Sequence, residues 1–146
     1  MPRGAQGMSL IEVMVAVLVL AVGLLGIAAM QSLALRGGQS SLESSQAVMA
    51  TSSMLEAIRA NPTQAASYNM GKTCATPAAG TTRVSNDKSA WVASIKTMLG
   101  NAATTCGQVT NCGPGLTCTV TVFWDDSRGG ADQGGSSRSL AVETQI

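Results

Sequence analysis

The sequence predicts an α+β protein, with one long amino-terminal helix packed on a small antiparallel sheet that is stapled by disulfides. Three observations lead there. From Val13 to Leu35 no side chain carries a charge, so one apolar block dominates the start of the 146-residue chain. From about Asn61 onward the chain is polar, rich in Gly, Ser and Thr, and long enough for one small domain. All four cysteines, Cys74, Cys106, Cys112 and Cys118, lie in that second part.

The apolar block has the length of a membrane span. A helix over it covers roughly 30 Å, the hydrocarbon thickness of a bilayer. Glu12 stands at its entrance, where an ionised carboxylate costs on the order of 2–3 kcal/mol if buried in lipid. Such a residue calls for a partner. If the chain is cut after Gly7, Met8 gains a positive α-amine four residues upstream, able to pair with Glu12 of a neighbouring copy. Residues 1–7 then form a short polar leader, made basic by Arg3, and 8–35 a transmembrane helix. Positive charge on the leader side keeps that side cytoplasmic and sends the remainder across. An ordinary secretory signal fits poorly, because its apolar run is shorter and ends in a small-residue cleavage site. An uncleaved signal anchor is the plain alternative.

Residues 36–60 read as a continuation of the helix. Leu42, Met49, Leu55 and Ile58 recur at helical spacing, with Glu43, Gln46, Thr51 and Arg59 elsewhere on the cylinder. Gly37-Gly38 is the expected place for a kink or short unwinding. Asn61-Pro62 ends the helix, because a residue before proline is pushed out of the helical region.

Residues 61–146 form the globular domain, periplasmic or extracellular in that topology. A domain of this size has little core for its surface and needs staples. Four cysteines beyond the span read as two disulfides in an oxidising compartment, and the six-residue spacings from Cys106 to Cys112 to Cys118 lack a zinc knuckle. Three pairings are open. The turn-rich loop from Cys112 to Cys118 favours local closure, which leaves Cys74 with Cys106.

Tyr68 to Val84 reads as irregular. Ser85-Asn86-Asp87 is a capping cluster, followed by a helix with the stripe Trp91, Ile95, Met98 and Leu99 and a stop at Gly100. Trp91 reads as a core anchor. Leu116 to Trp124 alternates with period two and predicts a strand, with Leu116, Cys118, Val120, Val122 and Trp124 on one face. Ser139 to Ile146 predicts a second strand. Between them Asp125, Asp126 and Asp132 stand among glycines. Their spacing does not fit an EF-hand loop, so a mobile hairpin connection is expected rather than a calcium site.

Chemistry finds little foothold. The chain has no histidine, so Ser-His and Cys-His arrangements are unavailable. No phosphate-binding glycine loop appears, and neither cofactor nor metal is expected. Six Lys or Arg against five Asp or Glu from Asn61 onward give no basic footprint, so no nucleic-acid partner is expected. The reading is of a structural protein and not of an enzyme.

Gly7-Met8-Ser9-Leu10-Ile11-Glu12-Val13 resembles the class III signal of type IV pilins and pseudopilins. The resemblance implies that prepilin peptidase cuts between Gly7 and Met8 and N-methylates Met8, and that Glu12 neutralises the amino terminus of an adjacent subunit. The family's usual first residue is Phe, and Met stands here as a variant. Val22-Gly23-Leu24-Leu25-Gly26, followed by Gln31, resembles minor pilins of the PilV type, the type IV pilus modification proteins. Major pilins carry a kinking proline where this chain has Ala29, and Gly23 and Gly26 offer close-packing points instead.

The resemblance implies a minor pilin that helps prime pilus assembly, and so serves twitching motility and adhesion. Its implied partners are prepilin peptidase, other minor pilins, the major pilin, the inner-membrane assembly platform and, before extraction, membrane lipid. Its implied location is the inner membrane, then the pilus on the surface of a Gram-negative cell. A type II secretion pseudopilin and a ligand-binding (DNA-uptake or adhesive) minor pilin are the alternatives.

Overall fold

A computed structural model describes residues 7–115, 117–130 and 134–146. It divides into two compact units, Met1–Arg36 and Gly37–Ile146. Helix α1 runs over Leu10–Arg59 without interruption, so the unwinding expected at Gly37-Gly38 does not occur. Ser9 stands just before it, and its carbonyl accepts from the amides of Glu12 at 3.0 Å and Val13 at 3.3 Å. The helix ends where expected, and Pro62 opens a 3-10 turn over Pro62–Tyr68.

In the first unit every described side chain is exposed. Within it lies a stretch long and apolar enough to cross a membrane, with a mean hydropathy of 2.8 over its most apolar window.

The second unit is built on a four-stranded antiparallel sheet of order β1-β2-β3-β4. The strands are β1 (Met70–Thr73), β2 (Cys106–Thr110), β3 (Thr117–Trp124) and β4 (Arg138–Gln145). The alternation expected in β3 is present: Cys118, Val120, Val122 and Trp124 are buried, and Thr119, Thr121 and Phe123 lie on the opposite face. Leu116, placed in this strand from the sequence, lies outside the described residues. On the outer face the Lys72 ammonium lies 4.0 Å from the centre of the Phe123 ring.

Helix α2 (Arg83–Leu99) begins earlier than its sequence indicates. Its cap is Thr82, whose side chain accepts from the Ser85 amide at 3.2 Å. Ser85 is therefore inside the first turn, and Asn86 and Asp87 follow it along the helix. The stop is correct: Gly100 takes φ 99°, which favours a residue without a Cβ.

One core joins the buried stripe of α1, the apolar stripe of α2 and the inner face of the sheet. Trp91 anchors it as expected, donating from Nε1 to the Ala50 carbonyl at 2.8 Å. Gly107 of β2 makes room for it, since a Cβ there would overlap the Trp91 ring at 2.2 Å. Both disulfides take the favoured pairing, Cys74 with Cys106 and Cys112 with Cys118. Asn69 ties the second to the sheet's edge by bonding both the amide and the carbonyl of Cys112, each at 2.9 Å.

The stripe predicted for the distal part of α1 is partly wrong. The buried residues are Ser40, Glu43, Ala47, Ala50, Thr51, Met54, Leu55 and Ile58, whereas Leu42 and Met49 are 58% and 56% exposed. The physical reason is room: Ala47 and Ala50 let the helix approach the core closely. The polar positions in the stripe find partners that the sequence alone does not display.

Candidate functional site

The residues singled out at the amino terminus stand together. Gly7 and Met8 precede α1 in non-helical, exposed backbone, and an added Cβ at Gly7 would meet nothing within 4 Å. Glu12 lies in the first turn of α1. An acid there faces the positive end of the helix dipole, worth roughly 0.3–1 kcal/mol at an exposed site. It is exposed, so its carboxylate is accessible to a cation from outside the chain. The leader residues Met1 to Gln6, Arg3 among them, lie outside the described residues.

A second polar cluster, not anticipated from the sequence, sits where α1 meets the start of the β3–β4 connection. Asp126 is only 1% exposed. Its Oδ2 accepts from Ser40 Oγ at 2.5 Å and from the Arg138 guanidinium at 3.0 Å. Its backbone pairs with Gly135 in both directions, at 2.9 and 3.0 Å, closing the base of the loop. One turn along α1 from Ser40, Glu43 takes a hydrogen bond from Arg128 at 2.8 Å.

Burial pushes the Glu43 carboxyl above the usual range, neighbouring Asp126 adds to this, and Arg128 opposes it. Its second oxygen is buried and accepts no hydrogen bond among the described residues. Asp125 does different work: Ser127 N–H donates to it at 2.9 Å and holds its carboxyl below the usual range. The Asp125–Arg138 stretch, expected to be a mobile connection, thus carries a clamp at its base. Asp132 lies outside the described residues. Only the spacing of Ser40 and Glu43 on the stripe with Ala47 and Ala50 signalled the clamp, and polar identity hid it.

The fold and the amino-terminal segment together define a class: a helix-anchored protein with a small disulfide-stapled α+β domain. Residues 2–28 match the family model described as the prokaryotic N-terminal methylation motif. No curated protein and no solved structure matches this chain. The chain thus carries the N-terminal methylation motif of type IV pilin-like proteins, and the motif runs into a helix long and apolar enough to cross a membrane. That motif implies processing by a prepilin peptidase and assembly with pilus components.

Proposed function

We propose that the protein is a minor pilin of the PilV type, cut between Gly7 and Met8, N-methylated on Met8, and incorporated into a type IV pilus to prime its assembly. One observation carries the reading: the methylation motif matched over residues 2–28 includes Glu12 in the first turn of α1, directly before the uncharged, span-length stretch from Val13 to Leu35. Lipid and neighbouring apolar helices are comparable surroundings for that helix, so its transfer into a fibre need not expose it to water.

Glu12 then acts as a register pin. Pairing it with the Met8 amine of the next subunit relieves two charges at once, and a misplaced subunit leaves both unpaired. In this reading the chain waits in the inner membrane of a Gram-negative cell with residues 61–146 in the periplasm. Its partners are prepilin peptidase, other minor pilins, the major pilin and the assembly platform. The Val22–Gly26 run favours the pilus over a secretion pseudopilus.

Gene deletion tests this directly. Surface piliation and twitching should be lost while secretion of folded exoproteins continues. Lost secretion with intact pili would assign the chain to the pseudopilins instead. In a second test, Glu12→Ala should leave cleavage near normal and sharply reduce the protein in sheared fibres. Unchanged incorporation would remove the pairing role.

A further inference from the structure

The two edges of the sheet differ. β1 is four residues long, its register with β2 shifts between Met70 and Thr73, and it carries Gly71 and Lys72. A short, irregular edge with a lysine resists pairing with another chain. β4 runs for eight residues, pairs residue for residue with β3, and holds no proline, glycine or lysine. Among the described residues no other strand pairs with it, and over residues 139–145 its backbone bonds only to β3. The outward amides and carbonyls of β4 thus form a row of donors and acceptors facing the place of a further strand.

Helix α1 lies along this strand. The Arg138 guanidinium donates to Ser40 Oγ at 3.0 Å and the Arg59 guanidinium to Thr144 Oγ1 at 2.9 Å, so helix and strand run in the same direction. Val48 stands about three turns before Arg59 and shares its flank of α1, on the β4 side. It is exposed, and on the strand below it Leu140 and Val142 are only half-buried. A strand added roughly 4.8 Å beyond β4 would lie under that flank and cover all three side chains.

We infer that the β4 edge takes up an extended segment of a different polypeptide as a further strand of the sheet. The alternation of β4 specifies that segment. Every second side chain is apolar and faces α1 beside Leu140 and Val142; those between are polar, beside Ser139, Ala141 and Glu143. Glu143 is exposed on this outer face, where the Thr119 hydroxyl donates to it at 3.4 Å, and a Lys or Arg of the segment completes a cross-strand charge pair with it.

A second copy does not fit the place. Two β4 edges pairing antiparallel are related by an axis normal to the sheet, which reverses the helix lying on it. Two chains entering one membrane by the start of α1 cannot be so opposed. Parallel pairing sets the apolar face of one sheet beside the polar face of the other, and β1 of a second copy is too short and irregular. This exclusion rests on the membrane-anchored, pilin-like reading; the open edge does not.

Fluorescence anisotropy of synthetic peptides with the purified, detergent-solubilised full chain tests the inference. The probe is a peptide of eight residues, the length of β4, alternating Val with Thr and with one Thr replaced by Lys. Successive amides of a strand point to opposite edges, and an added strand uses only one edge. Of two versions, N-methylated at the odd or at the even positions, one should bind like the parent and the other roughly tenfold or more weakly. Equal binding of the two, or no binding of the parent, would overturn the inference. Glu143→Lys, at an exposed position that leaves the fold intact, should weaken binding of the Lys peptide and favour its Glu counterpart. An unchanged preference would overturn it as well. So would a dimer of the chain that the peptide takes apart, because the edge then belongs to a second copy. None of these readouts depends on fibres, so a chain that binds the strand but never enters a pilus sinks only the pilin reading.

Discussion

Helix α1 contains two stretches that differ both in composition and in what they bury. From Leu10 to Arg36 its side chains are mostly apolar and all exposed. From Gly37 to Arg59 the helix buries eight residues, and several of them are Ala, Ser, Thr or Glu. Apolarity therefore does not mark which part of the helix builds the chain's own core. Fully burying one Leu, Ile or Val is worth about 1.5–3 kcal/mol. In the first stretch that gain is open only to an outside partner, lipid or other helices. In the second, small residues and a polar clamp hold the helix to its own domain.

The contrast breaks most easily at Trp91. Trp91→Ala should destabilise the globular unit by about 3–5 kcal/mol, through lost contacts and an empty site. Circular dichroism melts of the detergent-solubilised chain should show a clear fall in Tm. Leu18→Ala, in the first stretch, should leave that melt unchanged. A comparable shift would mean that the first stretch also stabilises the domain.

Next in size is the long disulfide. Cys74 and Cys106 are separated by 32 residues, and replacing both with Ser should cost roughly 3–4 kcal/mol by loop entropy. Chemical denaturation of variant and wild type checks it.

The clamp comes third. Asp126→Asn removes the charge that faces Arg138 and weakens the bond from Ser40, at a cost of about 2 kcal/mol. Amide exchange should accelerate at Ser127 to Gly130 before it does in β3.

The smallest effect sharpens the comparison at Glu43. Its folded carboxyl titrates above its ordinary 4.5, so between those two points the folded state holds more protons than the unfolded. Stability from this group is fully present below the unfolded value and is lost as pH rises through the folded one. Glu43→Gln should therefore leave stability at pH 7 unchanged or raised by up to about 1 kcal/mol. It should also remove this group's part of the decline in stability as pH rises above the ordinary carboxylate range. Melting temperatures measured as pH rises read both.

Much of the fold was legible because its signals are local. Val13 to Leu35 states its length and lack of charge, Leu116 to Trp124 alternates, and Asn61-Pro62 and Gly100 punctuate the helices. The short spacing of Cys112 and Cys118 indicated their pairing. What stayed hidden depends on partners far along the chain. Met70–Thr73 and Cys106–Thr110 are short, and each becomes a strand only beside its neighbours. Leu42 and Met49 fall on the apolar stripe that helical spacing predicts, yet the core takes Ala47 and Ala50 and leaves them out. The clamp escaped because Ser40 and Asp126 are 86 positions apart, and neither is apolar. At the amino terminus the legibility reverses: the motif is read almost wholly from Gly7 to Val13, and the structure adds only that this segment is accessible.

The mass of the protein extracted from membranes or fibres is the most direct test of the processing and docking role given to that segment. A mature chain that begins at Met8 and carries one methyl group on its amine is the expected result. A chain that still begins at Met1 would contradict it, because Glu12 would then have no freed amine to meet.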